Sequence, residues 1–265
     1  MRRTGLVGAL VLAGSLAGCF ATDPSGVKVE ETGAFIVEGS GRLTDITFDQ
    51  SSGHVLALDG LQLTEVTPAG DWVASYDLTA PMSATGFGTT TFEAVGTTPD
   101  GEVLLTSIDA NGWRLSRATL ALDWYFCLDA PDQPHGVETW SNGGVAVDEA
   151  GLAIYTMPSM TRDNTILTSS LEHYDMLTGA PLQEADLADA GVRSTGVAFV
   201  AERGTLLVAE RDALLEMTTE GHILSSHAVH GGAIAGVAYD PTGGTVFLVD
   251  DADARHVSVN RIEHW

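Results

Sequence analysis

Five segments of this chain share one pattern: an alternating apolar strand, a polar turn closed by glycine, and a second apolar strand. They are LTDITFDQSSGHVLALDG from Leu43, FEAVGTTPDGEVLLTSID from Phe92, NGGVAVDEAGLAIYTMPS from Asn142, STGVAFVAERGTLLVAER from Ser194 and IAGVAYDPTGGTVFLVDD from Ile234. The anchoring residues Ile46, Val95, Val145, Val197 and Val237 stand 49, 50, 52 and 40 residues apart, and the turn glycines are Gly53, Gly101, Gly151, Gly204 and Gly244. Such an interval suits one four-stranded propeller blade per repeat. A lone sheet of this kind has two apolar faces, so each blade must pack between two neighbours and the ring must close.

The remainder of each period agrees. The first and fourth repeats continue as LTEVTPAGDWVASYDL from Leu63 and LLEMTTEGHILSSHAV from Leu214, with a shared skeleton of apolar-x-Glu-apolar-Thr-x-x-Gly that spells strand, turn, strand. In the second repeat Asp109-Ala110-Asn111-Gly112 reads as a hairpin connection, because both central residues of a type I′ turn need positive φ. Helical signals are sparse, and LQEADLADAG suits either an outer strand or a turn or two of helix. The last repeat ends on RHVSVNRIEHW, which supplies a third strand and little more. Residues 33–38 form a strand without a home, so the expected architecture is an all-β, five-bladed β-propeller with that strand completing the last blade. A six-bladed ring with one degenerate blade and a pair of β-sandwiches are the alternatives.

The segments GVAYDPTGGTVFLVDD and GVAFVAERGTLLVAER resemble the repeats of NHL-like, YVTN-like and SdiA-regulated-type bacterial propellers, whose blades often begin with Gly-Val-Ala. The resemblance runs from about Leu43 to the end. It implies a fold and leaves the chemistry open, since those families include scaffolds, ligand binders and enzymes.

The N-terminal MRRTGLVGALVLAGSLAG has the layout of a signal peptide, a basic pair followed by a 14-residue apolar run. That run is short of the roughly 20 residues a membrane-spanning helix needs. Leu16-Ala17-Gly18-Cys19 resembles the lipobox of bacterial lipoproteins, which implies cleavage before Cys19 and lipid attachment to it. The expected organisation is a signal peptide over 1–18, a flexible tether over 19–32 and the propeller over 33–265. The membrane is then a partner through the lipid, and the location is the cell envelope outside the cytoplasm. Phe20 in place of aspartate points to the outer membrane.

Charge narrows the partners. The sequence has 36 acidic residues against 12 basic ones, two of which lie within residues 1–18, and a single lysine, Lys28. Phosphate backbones need a basic face, so nucleic acid is excluded as a partner. Cys127 is the only cysteine left beside Cys19; its apolar surroundings read as those of a buried structural thiol.

No nucleophile elbow, H-E-x-x-H, P-loop or C-x-x-C motif occurs. The Pro-rich insert DAPDQPHGVETWSN offers His135, Glu138 and Trp140 as candidate ligand contacts near one mouth of the ring. Asp250, Asp251 and Asp253 are candidate calcium ligands by their oxygen chemistry, although the spacing departs from an EF-hand loop. His227 and His230 read as surface histidines. The functional expectation is a tethered, non-enzymatic propeller that binds a protein, peptide or glycan at one mouth. The rival is a metal-assisted hydrolase or lyase whose site is assembled from several blades.

Overall fold

The computed structural model describes residues 28–84, 91–107, 111–127, 139–148, 150–162, 165–229 and 232–263. Cys19 and the leader lie outside these residues. Strand β1 (Lys28–Ile36) precedes the first repeat. Blade 1 consists of β2 (Asp45–Asp49), β3 (His54–Leu58), β4 (Gln62–Val66) and β5 (Trp72–Asp77). A short helix α1 (Thr79–Ala84), which no sequence signal announced, leads on from it and buries Met82 against Phe92 and Trp113 of the next blade. Blade 2 comprises β6 (Phe92–Thr97), β7 (Val103–Ser107), β8 (Asn111–Leu115) and β9 (Leu122–Cys127). The third contains β10 (Thr139–Asp148), β11 (Ala153–Arg162), β12 (Thr165–Asp175) and β13 (Pro181–Asp186). The fourth contains β14 (Gly196–Val200), β15 (Thr205–Glu210), β16 (Ala213–Thr218) and β17 (Ile223–Ala228). Strands β18 (Ile234–Asp240), β19 (Thr245–Asp250) and β20 (His256–Glu263) begin the fifth.

Each blade is a separate four-stranded antiparallel sheet, and the fifth has the order β1-β20-β19-β18. The N-terminal strand therefore closes the ring, with Ala34 opposite Ser258 and Phe35 opposite Val257. It starts at Lys28 instead of Gly33, so residues 28–32, read from sequence as tether, belong to the sheet. The inner strands β2, β6, β10, β14 and β18 touch in succession, and β18 returns to β2, giving five blades and no sixth. Exposure rises outward within a blade: β15 is buried almost throughout, whereas β13 is mostly open to solvent and β5 has no buried residue.

The recurring Gly-Val-Ala has a geometric cause. Anchors such as Val197 face the preceding blade, where they join Tyr155 and Ala146 in one core cluster. Residues on either side of the anchor face the following blade, at the radius where sheets approach most closely and only small side chains fit. A Cβ on Gly196 would sit 2.6 Å from the Val237 amide nitrogen, and one on Gly236 would sit 2.9 Å from the Asp45 Cα. Blade 1 carries Asp45 at this position, and its Oδ2 accepts the Val95 N–H of blade 2 at 3.0 Å. Burial holds the Asp45 carboxyl well above the usual carboxylate range.

The glutamate of the third-strand skeleton is also explained. Glu65 and Glu216 are buried and become centres of polar networks. Glu65 receives the Tyr76 hydroxyl at 2.8 Å and lies 2.6 Å from His54 Nδ1; Glu216 receives Arg203 Nε at 2.7 Å and the Thr205 hydroxyl at 3.1 Å. Arg117 of blade 2 joins the first network, donating to Asp49 at 2.6 Å, to Glu65 at 3.5 Å and to the Gly101 carbonyl at 3.0 Å.

One local expectation is corrected. Asn111 and Gly112 are not turn residues, because they pair with Cys127 and Phe126 across β8 and β9 and so belong to the strand. Gly53, Gly101, Gly204 and Gly244 do adopt positive φ, but in the third repeat the left-handed residue is Leu152, at φ 53°, and not Gly151. The LQEADLADAG stretch is both things at once, an outer strand β13 followed by a single 3-10 turn at Ala188–Ala190.

Candidate functional site

The inner strands begin at one mouth of the ring and run toward the other. Two begin in regular register, and three carry a β-bulge near the first mouth: at Glu93 in β6, between Asn142 and Val145 in β10, and at Ala235 in β18. Bulges break pairing and re-aim side chains, which is why they collect next to binding sites. Here all three border one cavity of about 480 Å³, within the roughly 300–1,000 Å³ usual for small-molecule sites. Every blade contributes to its lining, through Thr44, Glu93, Asn142, Thr195 and Ala235 among others.

Asn142 is the central feature of this mouth. It precedes two glycines, and a Cβ on Gly143 would overlap Ser194 of the next blade, so the bulge can form only where both positions are bare. Its backbone N–H donates to Glu93 Oε2 at 2.8 Å, which links blades 2 and 3. Its side chain is 4% exposed, yet neither Oδ1 nor Nδ2 has a partner. An unsatisfied buried amide costs about 1–3 kcal/mol, a penalty that a ligand with matching groups removes.

Arg42, Arg193 and Arg211 border the same cavity. They are three of the 12 basic residues in a chain of net charge −24. Arg42 is ion-paired with Asp251. Among the described residues, no ion pair engages Arg193 or Arg211. Arg211 sits in the β15–β16 turn at φ 48°, a left-handed conformation that costs a non-glycine residue roughly 1–2 kcal/mol. The turn is held there by the Ile234 N–H bonding to the Arg211 carbonyl and the Val229 N–H to that of Asp212. Burial pushes the carboxyl of neighbouring Glu210 up, against the pull of the Arg193 backbone N–H and the Arg211 charge.

The residues singled out from sequence meet this site unevenly. His135 and Glu138 lie outside the described residues. Trp140 is in β10 with its backbone opposite Met160, two residues from Asn142. Of the three aspartates only Asp251 reaches the cavity, through its pair with Arg42. Asp250 Oδ1 instead accepts the Ala252 N–H at 2.8 Å, and the Asp253 carbonyl accepts the His256 N–H at 2.7 Å. Among the described residues, no three His, Cys, Asp or Glu side chains gather as a metal-binding group. His227 is not a surface residue: it is 4% exposed, with Nε2 2.7 Å from the Ser225 hydroxyl, because both side chains of β17 point inward. His230 lies outside the described residues.

Asn142, Arg193 and Arg211 were not anticipated. The one sequence signal for them was the doubled glycine of Asn142-Gly143-Gly144, where the other Gly-Val-Ala repeats have a single glycine.

No protein-family model matches the sequence, and no curated protein sequence does. Solved structures do match the fold. The crystal structure of Myxococcus xanthus glutaminyl cyclase superposes with a TM-score of 0.56 at 10% identity, over 89% of this chain and 97% of that one. At that identity the likeness establishes the shared propeller architecture.

Proposed function

We propose that the chain is an extracytoplasmic, lipid-tethered propeller that binds a ligand at the mouth where its inner strands begin. The observation that carries this reading is the buried Asn142 amide, unpartnered at both atoms, on a cavity that three bulged strands open. The Gly-Val-Ala repeats, of the kind found in NHL-like and YVTN-like propellers, agree with a binding scaffold. The tether rests on the lipobox-like Leu16-Ala17-Gly18-Cys19. Loss of membrane fractionation in Cys19→Ala supports it, and unchanged fractionation contradicts it.

The rival reading, a metal-assisted hydrolase or lyase, draws interest from the glutaminyl cyclase likeness, but among the described residues the mouth brings Glu93 and Asp251 together with arginines and no histidine. The binding reading is tested by native mass spectrometry with a mixed panel of short peptides and oligosaccharides. Ala233 is exposed on the cavity rim, and Ala233→Trp narrows the opening without entering the core. Retention of some panel member by the wild type and its loss in Ala233→Trp is the expected result. Retention unaffected by the substitution, or none in either protein, contradicts the reading.

A further inference from the structure

We propose that the ligand taken at this mouth is a peptide C-terminus, its carboxylate held by Arg193 and Arg211 and its last amide by Asn142. This inference rests on the mouth being the binding site and adds what the site reads. Guanidinium groups match carboxylates through paired N–H donors, and such charge-assisted bonds are roughly twice as strong as neutral ones. A side-chain amide offers an acceptor and a donor, so it can take the N–H of a ligand's last peptide group on Oδ1 or donate to its C=O from Nδ2. A chain end presents those two groups in immediate succession. A neutral sugar has no anion for the arginines.

The balance of charge selects against other anions. Arg42 is already paired with Asp251, and Glu93 borders the cavity while accepting the Asn142 backbone N–H. Among the described residues Arg193 and Arg211 have no ion pair, and with Glu210 accepting the Arg193 backbone N–H beside Arg211 the balance leaves room for no more than a monoanion. A phosphate dianion or a polyanion would also meet Glu93 and Asp251 directly. Cavity size sets the reach: about 480 Å³ accommodates the last residues of a chain and not a folded domain.

Isothermal titration with acetyl-Ala-Ala, its C-terminal amide and inorganic phosphate provides the test. The acid is expected to bind at least about tenfold more tightly than the amide, the loss expected for one charge-assisted pair, and phosphate is expected not to compete. Arg211→Asn, which tolerates the left-handed backbone, and Arg193→Gln are each expected to erase the preference for the acid. Equal binding of acid and amide, both lost in Ala233→Trp, would overturn the C-terminus assignment while leaving the mouth as the site. Acid binding that survives Ala233→Trp would overturn both. Displacement of the acid by phosphate, or no binding of the acid, would overturn the assignment. The same chemistry is offered by free short peptides and by protein chain ends. A peptide of about ten residues with the same two final residues separates them, binding only if the chain can leave the mouth.

Discussion

The two mouths of the ring are built from the same five strands and differ in how they are closed and in how many of their arginines are paired. Where the inner strands begin, three of them bulge, a cavity of about 480 Å³ opens, and Arg193 and Arg211 face it without ion pairs among the described residues. Where they end, the remaining space is about 40 Å³, and large rings fill the junctions, Phe48 of β2 stacking on Phe247 of β19 and Phe199 of β14 on Tyr155 of β11. Near that end Arg117 is 17% exposed and locked between Asp49 and Glu65, and Arg203 is paired with Glu216. Closure is thus concentrated at one end of the wheel, which lets the other end carry unsatisfied groups. Buried polar groups are normally paired, and among the described residues whose buried side-chain atoms have no partner, Asn142 is the one that borders this cavity.

The largest way to break this contrast is to remove the pairing at the closed end. Arg117→Ala strips the counterion from a fully buried Asp49 and a nearly buried Glu65, and is expected to cost about 3–5 kcal/mol in urea unfolding. Burial pushes the Asp49 carboxyl up, but hydrogen bonds from Ser52 and Ser51 together with Arg117 outweigh it and hold the group below its ordinary value. Its contribution is therefore present above the usual carboxylate pKa and lost as pH falls through the lowered one. The deficit of Arg117→Ala relative to the wild type should shrink over that acid range.

Gly196→Ala attacks the hub that both mouths share. The added Cβ would lie 2.6 Å from the Val237 amide nitrogen and 2.7 Å from the Gly236 Cα, so blades 4 and 5 must separate. A loss of about 3 kcal/mol in the same assay is expected for such overpacking. An unchanged midpoint would mean that the blades do not meet at this radius.

A smaller effect belongs to Asp45. Its folded-state carboxyl is raised by burial, so the native chain retains a proton that the unfolded chain releases, and wild-type stability falls as pH rises from the ordinary carboxylate range to the raised value. Asp45→Asn keeps an acceptor for the Val95 N–H and removes the ionisation. It should melt above the wild type at pH 7, with the gap closing toward pH 4; a gap that widens on acidification would contradict the assignment. Smallest of all is Arg211→Asn at the open mouth, expected to leave stability within about 0.5 kcal/mol.

The sequence conveyed the wheel more clearly than the site for physical reasons. Period-two alternation around Ile46, Val95, Val145, Val197 and Val237 reports burial directly, and the glycine before three of these anchors reports close approach of the neighbouring blade. Even the closing strand was visible, because Phe35 and Ile36 had no partner within any repeat. The skeleton glutamates were visible as a pattern, but that Glu65 and Glu216 are buried could not be read from residues that are normally exposed. The mouth was hidden more deeply. Glu93, Asn142, Arg193 and Arg211 come from three blades, they meet only when the ring closes, and a bulge leaves no mark beyond an extra glycine. His227 was misread because a polar residue on an outer strand is ordinarily solvent-facing, whereas β17 turns Ser225 and His227 inward together.

A crystal soaked with acetyl-Ala-Ala tests most directly whether the two ends differ in kind. Difference density is expected at the bulged mouth, with a carboxylate against Arg193 and Arg211 and an amide facing Asn142, and none at the end closed by Phe48 and Phe199. Density at that closed end, or an occupant of the bulged mouth that leaves the Asn142 amide unpaired, would contradict the account.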